Sequence, residues 1–236
     1  MTKLRIILPT YNECDNLKKL IPNLFDVLKE NKFDADVLII DDNSSDNTYK
    51  LVKKLKEKYP IKFIRRKQKM GIGSAYVLGF KKSIKDNVDI IFEMDADLSH
   101  KPEYIIEFVK KINQGFDVVI GEREKIVGWS FYRKIVSRGG NLIGRFIAGV
   151  KINDLTTGFR AYKKEVLEKI NIEKIESDGY AFQLEMLYRA KCSDFKIGAI
   201  PIIFYNRKKG KSKLSKKDMI NFVFLSFKIR LGFIDL

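Results

Sequence analysis

Cysteine and histidine are scarce in this chain of 236 residues. The two cysteines, Cys14 and Cys192, have no C-x-x-C spacing and suggest no paired framework, which argues against a zinc site and a disulfide scaffold. The sequence has a single histidine, His100, and suggests no Cys–His pair in which a histidine would activate a thiol. The cysteine content therefore fits a reducing cytoplasm.

Long apolar runs are also missing. No stretch reaches the roughly 18 to 20 uncharged apolar residues that span a bilayer. Residues 1–5 lead directly into a short strand pattern, without the longer apolar run of a signal peptide. We therefore expect neither a secretion signal nor a membrane-spanning segment in this sequence.

Acidic residues are too few to balance the basic ones. Lys and Arg total 46 against 30 Asp and Glu, a formal net charge of +16. Such an excess indicates an anionic partner, which could be nucleic acid, an acidic membrane surface or a phosphate-rich substrate. We expect no nucleic-acid partner, because the aromatic residues do not interleave with the lysine clusters in a recognisable RNA-binding motif.

Strand-length apolar runs alternate with helix-period segments through the first half. The predicted strands are Leu4–Leu8, Val37–Ile40, Ile61–Ile64, Asp89–Met94 and Asp117–Ile120, with helices near Asp15–Asn31, Thr48–Tyr59, Ser74–Ile84 and Pro102–Gln114. This order predicts an α/β fold with three layers and a mostly parallel central sheet. Ligands of such sheets bind at the carboxyl ends of the strands, so the residues after each strand are the candidates.

The second half is less regular. The pattern predicts a basic amphipathic helix over Phe131–Ala148, a helix over Tyr180–Lys191, a strand over Ile197–Tyr205, a polar loop over Asn206–Lys217 and an apolar tail with interspersed cations over Met219–Leu236.

Glycine motifs point away from two common nucleotide sites. Gly71-Ile72-Gly73 has Tyr76 where a third glycine would stand and does not directly follow a strand, so a helix-entry turn explains it better than a dinucleotide site. The sequence has no G-x-x-x-x-G-K-[ST], which excludes a P-loop ATPase.

Two aspartates, Asp95 and Asp97, flank Ala96 directly after a predicted strand. In extended geometry the two carboxylates point to the same side. Mg²⁺ and Mn²⁺ prefer such oxygens and are commonly shared with substrate phosphates. The motif therefore predicts a clamp for a metal and a diphosphate, with helix capping by Asp97 as the alternative.

The other strand ends carry acidic residues as well, and together the motifs resemble a known family. These motifs are P-T-Y-N-E at 9–13, I-D-D-N-S-x-D-x-T at 40–48, G-I-G-S-A at 71–75 and D-A-D-L-S-H at 95–100. In this order and spacing they resemble the family 2 inverting glycosyltransferases, which have the nucleotide-diphospho-sugar (GT-A) fold.

The second half narrows the resemblance. Gly128-Trp129 followed by residues 131–139, D-L-T-T-G-F-R at 154–160 and Arg207 with G-K-S-K-L at 210–214 resemble the dolichyl-phosphate (polyprenyl-phosphate) mannosyltransferases. The resemblance covers nearly the whole chain, and the Q-x-x-R-W signature of processive synthases is missing. Ser99 departs from the pattern, because many relatives with membrane helices have Gln at that position.

The resemblance implies roles for individual residues. Asp95, Asp97 and Ser99 would hold Mg²⁺ or Mn²⁺, with Ser99 acting through its hydroxyl or through water. Asp97, Arg123 and Arg133 are the implied catalytic residues. The implied substrate-binding residues are Pro9, Tyr11, Glu13 and one of Asp41 or Asp42 at the base and ribose, Asp95 and Ala96 at the diphosphate, Ser137 beside Arg123 and Arg133 at the lipid phosphate, and Arg207 and Lys213 over the donor diphosphate.

The implied reaction moves mannose from GDP-mannose to dolichyl or polyprenyl phosphate with inversion at the anomeric carbon. A phosphate monoester has a second pKa of about 6 and is mostly dianionic near neutrality, so it needs no strong general base. The alternatives are a related transferase that uses UDP-glucose or another sugar nucleotide, and one with a hydroxyl acceptor. For a hydroxyl acceptor, Glu124 or Asp154 would be the candidate base.

We expect residues 1–218 to form the catalytic domain, with 1–121 as the nucleotide-sugar half, 122–218 as the acceptor half and 219–236 as an amphipathic tail. The basic amphipathic stretches Phe131–Ala148 and Met219–Leu236 predict peripheral contact with the cytoplasmic face of a membrane. The alternatives are packing on the domain and docking on a small membrane subunit.

Overall fold

The computed structural model describes residues 2–149, 151–175, 177–206 and 216–231. Within these ranges the chain forms seven strands: β1 (Lys3–Thr10), β2 (Asp34–Asp41), β3 (Ile61–Arg65), β4 (Ile90–Glu93), β5 (Val118–Val127), β6 (Arg160–Lys163) and β7 (Ile197–Tyr205). The α-helices of the same ranges are α1 (Cys14–Glu30), α2 (Thr48–Leu55), α3 (Ile72–Lys85), α4 (Ile105–Asn113), α5 (Phe131–Ala148), α6 (Lys164–Lys169), α7 (Gly179–Cys192) and α8 (Lys216–Arg230).

The strands form one mixed sheet in the order β3-β2-β1-β4-β6-β5-β7. Every neighbouring pair is parallel except the two that involve β6, which runs antiparallel to β4 and β5. The prediction of an α/β fold with a mostly parallel sheet is therefore confirmed. The sequence pattern did not predict β6, because this strand has four residues and begins and ends on a cation.

Strand register brings the ends of β1, β2 and β4 together. Thr10 pairs with Asp41 across β1 and β2, and Ile7 pairs with Glu93 across β1 and β4. The segments that follow these strands therefore leave the sheet at one edge.

Apolar side chains on the two faces of the sheet belong to two separate cores, as the alternation of strand residues requires. Ile7 and Ile40 pack with residues of α3, α7 and α8, whereas Ile6, Leu8 and Ile39 pack with residues of α1, α2 and α4. The sheet thus lies between two helical layers.

Helix α8 lies against α5 and α7. Its side chains Phe222, Leu225 and Ile229 are buried in the core that also holds α3 and α7. A Cβ atom at Gly144 of α5 would lie 2.9 Å from the ring of Phe222, so glycine permits the close approach of the two helices. Across the described ranges, the structure contains no helix with the length and apolar character required to cross a bilayer.

Candidate active site

A cavity of about 330 Å³ opens at the carboxyl edge of the sheet. It collects eight of the residues that the sequence predicted for the site: Pro9, Tyr11, Glu13, Asp42, Asp95, Ala96, Asp97 and Arg133. Its other lining residues are Thr10, Lys69, Gly71, Ile72, Thr156, Gly158, Asp178, Gly179, Tyr180 and Gln183. Four separate segments of the first half therefore meet helix α5, the segment 156–158 and the start of α7 at one place.

The loops after β1 and β2 are tied to each other by Asn12. This residue has φ = 57°, a left-handed conformation that asparagine tolerates. Its side-chain oxygen accepts a hydrogen bond from the backbone N–H of Ser45 at 2.9 Å, and its own N–H donates to Ser44 Oγ at 2.8 Å. These bonds fix Tyr11 and Glu13, which flank Asn12, at the wall of the cavity.

The adjacent residues Asp41 and Asp42 have different surroundings. Asp41 is completely buried and accepts hydrogen bonds from the backbone N–H and the hydroxyl of Ser44 at 3.0 and 2.5 Å. Asp42 lines the cavity, where Arg66 forms an ion pair with it and the N–H of Met70 donates to it at 3.2 Å. Of the two alternatives, only Asp42 is placed where a ligand in this cavity can reach it.

Arg66 is a residue that the sequence reasoning missed. Besides Asp42, its guanidinium donates to Ser74 Oγ at 2.6 Å and to the carbonyl oxygen of Gly71 at 2.8 Å. It thereby joins the end of β2 to the start of α3. Its position directly after β3, at the same edge as the acidic strand ends, could have indicated a place at the site from the sequence.

The Gly71–Gly73 segment forms the helix-entry turn that its glycines predicted. Gly71 has φ = 94°, and the backbone N–H of Gly73 donates to Asp178 Oδ1 at 2.6 Å. A Cβ atom at Gly73 would lie 2.7 Å from the carbonyl oxygen of Ser177. The start of α3 therefore packs directly on the segment before α7, which was not predicted to lie there.

Gly73→Ala is expected to lower the free energy of unfolding by about 1–3 kcal/mol, because the added methyl group meets backbone that cannot move away cheaply. Urea unfolding measures this change. Gly139→Ala is the matched control, since a Cβ atom at that helical position meets nothing within 4 Å. There alanine should be neutral or stabilising by up to about 1 kcal/mol. Equal stability of Gly73→Ala and the wild type would contradict the tight packing.

The D-A-D segment turns sharply after β4. Leu98 has φ = 66°, and the backbone N–H of Ser99 donates to Asp97 Oδ1 at 3.0 Å. The backbone N–H of Asp95 donates to His100 Nδ1 at 3.2 Å. Hydrogen bonds within the segment therefore hold its conformation. This conformation places the carboxylates of Asp95 and Asp97 at the cavity.

His100 is a buried, neutral side chain. It is 2% exposed and stacks on Phe159 with 4.9 Å between ring centroids. Burial lowers the pKa of His100 to about 4, and its Nδ1 already accepts the N–H of Asp95. The imidazole therefore supports the D-A-D turn and does not line the cavity.

The donor set at the cavity fits a hard divalent cation. Asp95 and Asp97 supply carboxylate oxygens, the ligands that Mg²⁺ and Mn²⁺ prefer. Ser99 is 1% exposed, and its hydroxyl has no hydrogen-bond partner among the described residues, although the residue does not line the cavity. In the described part of the chain, no group of three or more His, Cys, Asp or Glu side chains forms a metal cluster, so a cation here would need ligands beyond the acidic pair.

Just before the D-A-D segment, β4 ends at Glu93, which forms a buried polar pair with Gln183. No sequence motif indicated this pair. Glu93 is completely buried, and burial raises its pKa to about 7 while the charge of Arg160 opposes that rise. Gln183, which lines the cavity, donates from its amide nitrogen to Glu93 at 2.6 Å. Helix α7 is thereby anchored to the end of β4.

Arg123 is engaged by a carboxylate. Its Nε and Nη2 atoms donate to the two oxygens of Asp154 at 2.5 and 2.7 Å, and Nη2 also donates to Thr156 Oγ1 at 2.7 Å. The two charged side chains are only 5% and 7% exposed. Despite the cost of burial, the attraction of Arg123 lowers the pKa of Asp154, which therefore stays ionised.

The residues predicted to bind the lipid phosphate do not share one cavity. Arg133 lines the first cavity, whereas Arg123 and Ser137 line a second one of about 860 Å³ between β5 and α5. Arg207 and Lys213, predicted to cover the donor diphosphate, lie outside the described residues.

Comparison with known proteins identifies the family. Residues 5–171 match glycosyl transferase family 2. The chain is 35% identical over 216 residues to the polyprenol monophosphomannose synthase of Mycolicibacterium smegmatis, covering 89% of this chain and 80% of that protein. It is 36% identical over 228 residues to the dolichol-phosphate mannosyltransferase of Pyrococcus furiosus, covering 94% of this chain and 62% of that protein. It is also 36% identical over 214 residues to the undecaprenyl-phosphate mannosyltransferase of Micrococcus luteus, covering 89% of this chain and 86% of that protein.

A solved structure shows the same fold. The glucosyl-3-phosphoglycerate synthase of Mycobacterium tuberculosis, in complex with Mn²⁺, UDP-glucose and phosphoglyceric acid, superposes with a TM-score of 0.68 at 15% identity, covering 96% of this chain and 80% of that one. The predicted GT-A fold and the predicted family are both confirmed. The chain belongs to glycosyl transferase family 2 and is a glycosyltransferase of the GT-A fold.

Proposed function

We propose that this enzyme transfers mannose from GDP-mannose to a polyprenyl phosphate such as dolichyl phosphate, with inversion at the anomeric carbon. The observation that carries the proposal is the composition of the first cavity, where Asp95 and Asp97 face the same space as Arg133. Acidic residues that suit a metal-bound diphosphate and a cation that suits a phosphate acceptor thus share one site. The names of the curated relatives support mannose transfer to a prenyl phosphate.

On the donor side, Asp95 and Asp97 would hold Mg²⁺ or Mn²⁺, with Ser99 acting through water, because Ser99 does not line the cavity. The metal, when bound, neutralises the charge that develops on the leaving diphosphate. Tyr11 and Asp42 line the same cavity with Pro9 and Glu13, and we assign this wall to the base and ribose. Arg207 and Lys213 remain our candidates for covering the diphosphate.

On the acceptor side, Arg133 would bind the phosphate of the polyprenyl phosphate. One acceptor oxygen attacks C1 of mannose, the bond from C1 to the diphosphate oxygen breaks, and GDP leaves with that electron pair. The dianionic phosphate needs no proton removed, so the protein mainly aligns the reactants. This suits a site where His100 is neutral and buried and Asp154 is bound to Arg123. Glu124, the other candidate base for a hydroxyl acceptor, is exposed at the second cavity.

Transfer of radiolabelled sugar tests the proposal directly. We expect label from GDP-mannose to reach a short polyprenyl phosphate, and not the corresponding polyprenol, in the presence of Mg²⁺ or Mn²⁺. Preferential transfer from UDP-glucose would overturn the donor, and transfer to the polyprenol would overturn the acceptor.

Arg133→Ala is expected to raise the KM for polyprenyl phosphate by about 10- to 100-fold, because it removes a charge-assisted hydrogen bond to the acceptor. Affinity for GDP-mannose, measured by isothermal titration, should change little, because Arg133 is assigned to the acceptor. A large loss of donor affinity at an unchanged acceptor KM would reverse the assignment.

We also propose that the enzyme contacts a lipid surface through α5 and α8, on the cytoplasmic face of the membrane. These neighbouring helices expose large apolar side chains: Ile135, Leu142, Ile143 and Phe146 on α5, and Val223, Phe224 and Phe227 on α8. Cations such as Arg145 and Lys228 lie on the same helices, which favours anionic lipid. A small membrane subunit is the alternative occupant of this surface.

Flotation with liposomes tests the membrane contact. The wild type should float with anionic liposomes at low salt, and Phe146→Ser combined with Phe227→Ser should reduce the floating fraction severalfold, because both rings are more than half exposed. Tyr49→Ser, an exposed aromatic on α2, is the control and should float like the wild type. No flotation of the wild type on anionic liposomes would favour a protein partner instead.

A further inference from the structure

Trp129, the only tryptophan of the chain, lies between the two arginines that the sequence assigned to the acceptor phosphate. It follows Gly128, which comes directly after β5 and has φ = 87°, and it precedes Ser130, the N-cap of α5. The turn is tied to the end of β7, because the amide nitrogen of Asn206 donates to the carbonyl oxygen of Gly128 at 3.1 Å. The indole is therefore held in place, and it is only 8% exposed.

Both guanidinium groups contact this ring. The Cζ atom of Arg133 lies 4.0 Å from the ring centroid and that of Arg123 lies 5.1 Å from it. The ring of Phe204 meets the indole edge-on, with 5.6 Å between centroids. Both distances lie within the range over which an aromatic ring attracts a cation.

The two arginines differ in their charge partners. Asp154 neutralises Arg123 through two hydrogen bonds. Within the described residues, the guanidinium of Arg133 makes no ion pair, and it lies over the indole of Trp129. Of the two arginines, Arg133 therefore keeps its charge for a ligand of the first cavity, and it contacts the ring of Trp129.

We propose that Trp129 is a positioning residue for acceptor binding, holding the Arg133 guanidinium at the wall of the first cavity, and that the Arg123–Asp154 pair supports the ring. The inference rests on the proposed function in one respect, the binding of the acceptor phosphate by Arg133. A free arginine side chain samples many rotamers, and fixing it when the ligand binds costs affinity. Stacking on a fixed indole removes part of that cost before the phosphate arrives.

A double-mutant cycle between Trp129 and Arg133 tests this role. Trp129→Leu should raise the KM for a short polyprenyl phosphate by about tenfold and leave the affinity for GDP-mannose unchanged. In the Arg133→Ala background, Trp129→Leu should have no further effect on the acceptor KM, because the group that it positions is gone. Trp129→Phe, which keeps a smaller aromatic face, should restore part of the loss and also serves if the leucine variant folds poorly.

Phe116→Leu is the matched control, since it removes an aromatic ring from Lys111, 4.6 Å away, at a site outside both cavities. It should leave the acceptor KM unchanged. An equal rise in KM on Trp129→Leu with and without Arg133 would overturn the positioning role while leaving the proposed reaction intact. An unchanged KM in Arg133→Ala itself would instead overturn the acceptor assignment on which this role depends.

The indole also supplies a direct readout. Because Trp129 is the only tryptophan, its fluorescence reports on Arg133 without interference from other indoles. Titration with short polyprenyl phosphate should change this fluorescence in the wild type and leave it unchanged in Arg133→Ala. The same fluorescence change in both proteins would contradict the proposal.

Discussion

Asp97→Ala is expected to lower mannose transfer by about a thousandfold or more while the chain stays folded. Asp97 lines the first cavity at the carboxyl end of β4, and we assign it to the metal that neutralises the leaving diphosphate. Removing a group that stabilises transition-state charge typically costs a factor of about 10² to 10³, and loss of the metal would add to that. The lost hydrogen bond from the N–H of Ser99 costs about 1–3 kcal/mol, within the stability of an ordinary domain.

Steady-state rates in Mg²⁺ and Mn²⁺, with circular dichroism as the check on folding, measure this effect. Asp97→Asn keeps the side-chain shape and removes the charge, so it should also be severely impaired. Glu107→Ala removes an exposed carboxylate on α4 and should retain wild-type rates. Full activity of Asp97→Ala in excess chelator would refute the metal assignment.

Asp154→Ala is expected to lower the free energy of unfolding by about 3–5 kcal/mol, because it leaves the buried guanidinium of Arg123 without its counter-charge. The side chains of the pair are only 5% and 7% exposed, so the charge of Arg123 is poorly hydrated once its carboxylate partner is removed. Urea unfolding measures the change. Glu107→Ala again serves as the control, since its pair with Lys110 is largely exposed and should contribute less than about 1 kcal/mol.

The double variant Arg123→Met with Asp154→Leu separates the penalty of a lone charge from the contribution of the pair. Replacing both partners with apolar groups should recover part of the stability lost in Asp154→Ala. Recovery should be incomplete, because Asp154 also accepts the N–H of Thr156 at 3.2 Å. Stability of Asp154→Ala within about 1 kcal/mol of the wild type would contradict the buried ion pair.

Sequence patterns were enough to predict the fold class and eight of the residues that line the first cavity. Alternating apolar strands and amphipathic helices are local patterns, and they require a covered parallel sheet whatever the detailed packing. Parallel strands place their carboxyl ends at one edge, so the sequence predicts that Tyr11, one of Asp41 or Asp42, and the pair Asp95 and Asp97 share one site. The family motifs could be recognised for the same reason, since each follows a strand or begins a helix.

Long-range packing selects which of several similar side chains face the site. Asp41 is the last residue of β2 and Asp42 directly follows the strand. Asp42 lines the cavity, whereas Asp41 is buried and accepts the backbone N–H of Ser44, and the sequence does not show which of the two faces the site. Arg123 and Arg133 looked equivalent in sequence. The carboxylate that neutralises Arg123 lies 31 residues away, and contacts of that range arise only when β5 and the segment before β6 pack together. Because Asp154 pairs with Arg123, the arginine whose charge remains available in the first cavity is Arg133, which contacts the same indole.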